Sequence, residues 1–91
     1  MLFRSELKAY IEYIGQIETY ERKNKSSLVK QNITLKTKDG QRLFAELRSH
    51  CFEKVKYLRK GQSVKIGYNF AGSIKNNKRY NNIIINEIDA L

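Results

Sequence analysis

The stretch SHCFEKVKYLRKG (49–61) decides how this chain is built, because the period of its apolar residues differs from that of the flanking segments. Cys51, Val55 and Leu58 recur at i, i+4 and i+7, the spacing of one helical face. Ser49 is of a type that caps helix N-termini and Gly61 of a type that ends helices, so a short helix is expected over 50–60. On either side the period is that of strands. Downstream, QSVKIGYNF (62–70) puts Val64, Ile66, Tyr68 and Phe70 on one parity, with Tyr68 and Phe70 expected in the core, and RYNNIIINEI (79–88) supplies a further strand. Upstream, SLVKQNITLKT (27–37) alternates around Ile33 and Leu35, and QRLFAELR (41–48) around Leu43, Ala45 and Leu47. Asp39-Gly40 between these two runs signals a two-residue hairpin.

ELKAYIEYIGQIETY (6–20) is too long for an ordinary strand, and Gly15 in its middle suggests a bulge or sharp coil. It reads as one long, bent first strand, on which simple alternation sets Tyr10 and Tyr13 on opposite faces. The order is therefore β-β-β-α-β-β. An all-β chain with a bent first strand and one short helix between strands three and four is arranged as a five-stranded OB-fold barrel. The polar breaks ERKNKSS (21–27) and AGSIKNNKR (71–79) become the loops joining strands one and two and strands four and five. In that fold they flank the face of strands two and three that commonly binds oligonucleotides. Within the second break, Asn76 and Asn77 suit a turn with positive φ. Asn81 and Asn82, at the start of strand five, are expected to satisfy local backbone groups.

At 91 residues, with no proline, internal repeat or low-complexity linker, residues 1–91 are expected to form a single OB-fold domain. Eighteen Lys and Arg against nine Asp and Glu give a net charge of +9, which points to an anionic partner. The charge is concentrated in the middle of the chain: residues 1–21 carry −2, residues 22–86 carry +13 and residues 87–91 carry −2. A single cysteine, Cys51, cannot form an internal disulfide and suits a reducing cytosol, where it would serve as a small buried residue. No apolar run reaches the ~18 residues of a membrane span and MLFRSELK has no signal-peptide character, so a cytoplasmic protein without membrane contact is expected.

With Ile33, Leu35, Leu43, Ala45 and Leu47 inward, alternation sends Lys30, Asn32, Thr34, Lys36, Arg42, Phe44, Glu46 and Arg48 outward. Cations that follow phosphates, beside an aromatic plane that stacks on a base, are what single-stranded nucleic acid requires. Phe44 is the leading stacking candidate, its alternative being packing against a partner subunit or the long loop. Arg22, Lys23 and Lys25 in the first break and Lys75, Lys78 and Arg79 in the second would clamp the backbone from both sides, with Tyr20 and Tyr80 at their bases as further stacking candidates. Catalysis is not expected. His50 and Cys51 are adjacent in a helix and so point about 100° apart, the acids are scattered singly, and no metal-ligand cluster or cofactor motif is present.

YLRKGQSVKIGYNFAG (57–72) resembles the bacterial single-stranded DNA-binding protein family, in which a helix ending in Leu-Lys-Lys-Gly leads into a strand of alternating valines. The resemblance runs at pattern level over residues 41 to 88 and reaches the first half only through topology. YNFAG and RYNN are also similar to the strand ends of shorter bacterial OB proteins. Two departures stand out. The family's long tail with an acidic and aromatic end has no counterpart after NEIDAL (86–91), so recruitment of replication proteins through such a tail is not expected; and with no tryptophan in the chain, any stacking falls to Tyr or Phe. The resemblance implies sequence-tolerant single-stranded DNA binding in replication, recombination or mobile-element processing. Alternatives are an OB assembly module with secondary nucleic-acid contact and an RNA-binding OB domain. Ile83, Ile84 and Ile85 carry apolar residues on both parities, which favours a homodimer or homotetramer.

Overall fold

The computed structural model describes residues 5–21 and 27–91, with backbone only at 20, 21, 27, 28, 73, 75 and 80. Five strands, β1 (Ser5–Glu21), β2 (Ser27–Lys36), β3 (Arg42–Leu47), β4 (Ser63–Lys75) and β5 (Lys78–Ala90), close into a barrel in the order β1-β2-β3-β5-β4. All neighbours are antiparallel except β3 and β5, which run parallel over Ala45–Leu47 and Ile83–Ile85. This is the expected OB barrel. Its length lets β1 serve two neighbours, β4 through Ser5–Tyr10 and β2 through Tyr10–Glu21. The interior is aliphatic: Ile11, Ile33, Leu35, Leu47, Val64, Ile66, Ile85 and Ile88 are all fully buried. Burial of apolar side chains at roughly 1.5–3 kcal/mol each is what closes the sheet on itself.

Bulges make this closure possible. In β1 the register with β2 shifts twice, between Ile11 and Tyr13 and between Ile14 and Ile17. The second shift contains Gly15, as the sequence suggests: a Cβ there would lie 3.0 Å from the Asn32 carbonyl oxygen, so any side chain would have to push the two backbones slightly apart. The first shift, at Glu12, has no glycine to announce it. In β5, Asn86 is left unpaired between Gly67↔Glu87 and Tyr68↔Ile85, which is why Ile85 and Ile88, three residues apart, both reach the core.

Four expectations are corrected. The helix is shorter than 50–60: a 3₁₀ turn, Ser49–Cys51, leads into α1 (Phe52–Val55). Ser49 is not its cap, since it is the first residue of the 3₁₀ turn and Arg48 before it is extended with no capping side-chain bond. Bonds three residues apart, from Tyr57 N to Lys54 O and Leu58 N to Val55 O, then tighten the chain toward Gly61, whose φ is +89° and whose N–H donates to Ile11 O. The apolar face survives the shortening, with Cys51 and Val55 buried and Leu58 packed on the core. Second, the β2–β3 loop has three residues: Thr37 N donates to Gln41 O across Lys38, Asp39 and Gly40, and Gly40 takes the left-handed conformation with φ +85°. Third, residues 71–79 are not a loop. The β4–β5 ladder continues to Lys75↔Lys78 and closes on Asn76-Asn77, with φ of 50° and 64°, the two-residue turn that their side chains suit. Fourth, Phe70 is 67% exposed rather than core: it pairs with Ile83, the outermost β5 residue that β3 accompanies, so its ring stands at the open end of the barrel where the β4–β5 arm departs. Tyr68, one step inside, does pack on the core and meets Phe70 edge to face with centroids 5.6 Å apart.

Candidate nucleic-acid interface

The outer surface of β2 and β3 is set by alternation about the buried Ile33, Leu35, Ala45 and Leu47. Register lines up Thr34 with Phe44, Lys36 with Arg42 and Asn32 with Glu46. Phe44 is 72% exposed, so its ring is open to contact from outside the barrel. The bulge at Glu12 adds what alternation alone hides. With one extra residue in β1, Tyr10 lies opposite Lys36 and Tyr13 opposite Thr34, so both tyrosines share the outer face. Their expected placement on opposite faces is thus overturned. Tyr13, Thr34 and Phe44 form a single row across three strands, with Tyr13 59% exposed. At one inter-strand step of about 4.8 Å each, the two aromatic residues lie roughly 9–10 Å apart. A groove of about 320 Å³ opens over this row, lined among others by Tyr13, Asn32, Thr34, Phe44, Glu46 and Asn82. That volume is at the lower end of the roughly 300–1,000 Å³ typical of small-ligand sites. Asn82 therefore belongs to the groove as well as to the strand.

Cations surround the groove. Lys36 and Arg42 are exposed at the end beside Tyr10, and Lys30 and Arg48 are partly covered at the other. Three of the four lean on acids: Arg42 Nε meets Glu12 Oε1 at 2.6 Å, Lys30 Nζ meets Glu46 Oε1 at 3.4 Å, and Arg48 Nη1 meets Glu46 Oε2 at 3.9 Å. Such partly exposed pairs are worth about 0–1 kcal/mol and exchange readily for a phosphate. Lys78 and Arg79 are exposed at the tip of the β4–β5 arm, next to the Asn76-Asn77 turn. Lys75, Tyr80 and Tyr20 lie on strands flanking the two ends, their side chains outside the described residues, as are Arg22, Lys23 and Lys25 altogether. Sequence reasoning missed Tyr13 and Tyr10; the one available signal was the length of β1, which exceeds what its partners can pair without extra residues.

On the far side, the unpaired Asn86 presents its carbonyl to the 3₁₀ turn. His50 Nε2 donates to it at 2.6 Å, and Cys51 Sγ lies 3.5 Å from the same oxygen. Burial holds the Cys51 thiol above the ordinary cysteine range, outweighing the opposing pull of Lys54. A buried protonated thiol is inert as a nucleophile. Among the described residues no group of three or more His, Cys, Asp or Glu side chains is arranged to hold a metal, and no helix is long and apolar enough to cross a membrane.

No protein-family model matches the sequence and no curated protein shows significant similarity to it. Solved structures do share its fold. Rim1, a mitochondrial single-stranded DNA-binding protein of S. cerevisiae, superposes with a TM-score of 0.67 at 13% identity over 98% of this chain and 95% of its own. A second crystal form of Rim1 gives 0.56 at 18% identity over 99% and 96%. The second OB-fold domain of replication protein A from Methanococcus maripaludis gives 0.68 at 12% identity over 98% and 84%. At these identities the likeness concerns the barrel alone.

Proposed function

We propose that this chain binds single-stranded DNA, without a strict sequence requirement, across the outer face of β2 and β3. The observation that carries the reading is the row Tyr13–Thr34–Phe44, two exposed rings on one face of a groove flanked by Lys30, Lys36, Arg42 and Arg48. Aromatic planes stack on bases whatever their identity, and the cations meet the phosphates. Lys78 and Arg79 on the β4–β5 arm, with Lys75, Tyr80, Tyr20 and the first-loop Arg22, Lys23 and Lys25, would close over the strand from both ends. That Rim1 is a single-stranded DNA-binding protein supports the reading by analogy of fold. In this proposal the chain works as a single OB domain, non-enzymatically, in replication, recombination or mobile-element processing. It would act as a homodimer or homotetramer, since one small barrel grips DNA weakly.

A second reading, an assembly module, draws on Phe70 and Ile74. They share one face of the β4–β5 arm and are both exposed, a surface that a partner protein would cover. A salt titration with labelled dT and rU oligonucleotides, beside light scattering of the free protein, separates these readings. Single-stranded DNA binding requires log K to fall with log salt at about −0.7 per phosphate contacted. A flat response removes the clamp, equal or better rU binding points to RNA, and self-association without oligonucleotide binding leaves the assembly module.

A further inference from the structure

The groove contains an acid, and its position bears on which bases enter; this inference rests on the single-stranded DNA reading above. Glu46 lies opposite Asn32, two residues from Phe44 on the same face of β3, and lines the groove with a side chain only 19% exposed. Lys30 and Arg48 approach one oxygen each at 3.4 and 3.9 Å. These long contacts orient the carboxylate without saturating it, since an ionised carboxylate has about four acceptor positions. A phosphate brought into the groove would face a like charge in a partly desolvated site, where repulsion is stronger than in water. The groove is therefore suited to the base, with phosphates left to the flanking cations.

Three of the groove's other polar side chains, Asn32, Thr34 and Asn82, can each donate or accept, and so meet any base edge. Glu46 can only accept. Cytosine and adenine present an exocyclic amino group, and guanine presents one on its own edge, whereas thymine and uracil place a carbonyl oxygen where cytosine has its amine. A carbonyl oxygen against a carboxylate has no proton to share, and the lone N3–H that thymine and uracil can offer is flanked by two carbonyl oxygens that would face the same carboxylate. We propose that Glu46 biases the groove toward amino-bearing bases, cytosine among them, and against thymine and uracil. The chain would then tolerate sequence order yet favour composition.

The test compares labelled homopolymers of dC and dT of about 12 nucleotides, within the site size of one OB fold, on the intact chain at one salt concentration. The expected result is tighter binding of dC by at least about fivefold, the low end of one specific side-chain contact to a base. Glu46→Gln should bring the dC:dT ratio to within about twofold of unity, because an amide can serve either base. Phe44→Ala should weaken both ligands together and keep the ratio. Independently of any folding defect in the variant, dC oligomers carrying N4,N4-dimethylcytosine should lose their advantage on the unaltered protein. A wild-type ratio near one overturns the inference and leaves the function standing, as does an equal gain for both ligands in Glu46→Gln, which would make Glu46 only a background charge. Failure of the wild type to bind either oligomer sinks the binding function and this inference together.

Discussion

Truncating the two rings that flank Thr34 separates what they contribute to folding from what they contribute to binding. Phe44 is 72% exposed, so little more than a quarter of its surface is shielded. Of the roughly 1.5–3 kcal/mol that a fully buried ring supplies, less than about 1 kcal/mol is then at stake in stability. Tyr13, at 59% exposed, stands to lose slightly more, together with its share of the cross-strand contact to Thr34, about 0.2–1 kcal/mol. If each ring stacks on a base, Phe44→Ala and Tyr13→Ala should each cost about 1–3 kcal/mol of oligonucleotide binding, or roughly 5- to 150-fold in Kd. The pair made together tells whether they hold one base or two. Independent platforms add to within about 0.3–0.5 kcal/mol, whereas a base shared between them produces a coupling of about 0.5–3 kcal/mol. Fluorescence anisotropy with a labelled oligonucleotide gives Kd, and circular dichroism with thermal melting confirms the fold. The reasoning is refuted if both single variants melt like the parent and bind within twofold of it. An unchanged Kd with an altered mass by light scattering would assign Phe44 to a subunit interface.

Replacing Lys75, Lys78 and Arg79 with Ser should weaken binding and make the salt slope shallower by up to about 2, at 0.7 per lost phosphate contact, with thermal stability nearly unchanged; parent-like binding at every salt concentration would reduce the β4–β5 arm to a turn. Ile85→Ala, at a fully buried position, should cost about 2–5 kcal/mol in denaturant unfolding, and a loss under 1 kcal/mol would mean that the barrel collapses around the cavity. Asn77→Ala should lower stability by about 1–2 kcal/mol because Asn77 sits at φ 64°, while Asn77→Gly should not, and equal melting of the two would show that the turn relaxes. Because burial raises the Cys51 thiol, the unfolded chain loses this proton first as pH rises. The thiol's contribution to stability is complete below the ordinary cysteine range and lost as pH climbs through the folded-state value, which denaturant titrations on either side of pH 9, with Cys51→Ala as control, would detect.

Much of the architecture was legible because its signals are local. Alternation in β2 and β3 depends only on a residue's neighbours along the strand, so the inward set Ile33, Leu35, Ala45 and Leu47 and the outward Phe44, Lys36 and Arg42 followed from the sequence. Gly15, Gly61 and the Asn76-Asn77 turn were equally readable, since each occupies a backbone position that other residues reach only at a cost. What required the closed barrel were the features set by a partner strand. The extra residue at Glu12 arises because β1 must stay paired with β2 while curving toward β4, and it alone turns Tyr13 onto the face of Phe44. Phe70 has the parity of Val64 and Ile66, yet it is exposed because it pairs with Ile83, the outermost β5 residue that β3 accompanies, and so stands at the open end of the barrel. The ion pairs of Glu46 with Lys30 and of Glu12 with Arg42 likewise join residues 16 and 30 positions apart, and they show which cations the outward Glu46 and Glu12 contact. Register and closure are properties of strand pairs, and a single strand's alternation carries no record of where its neighbour ends.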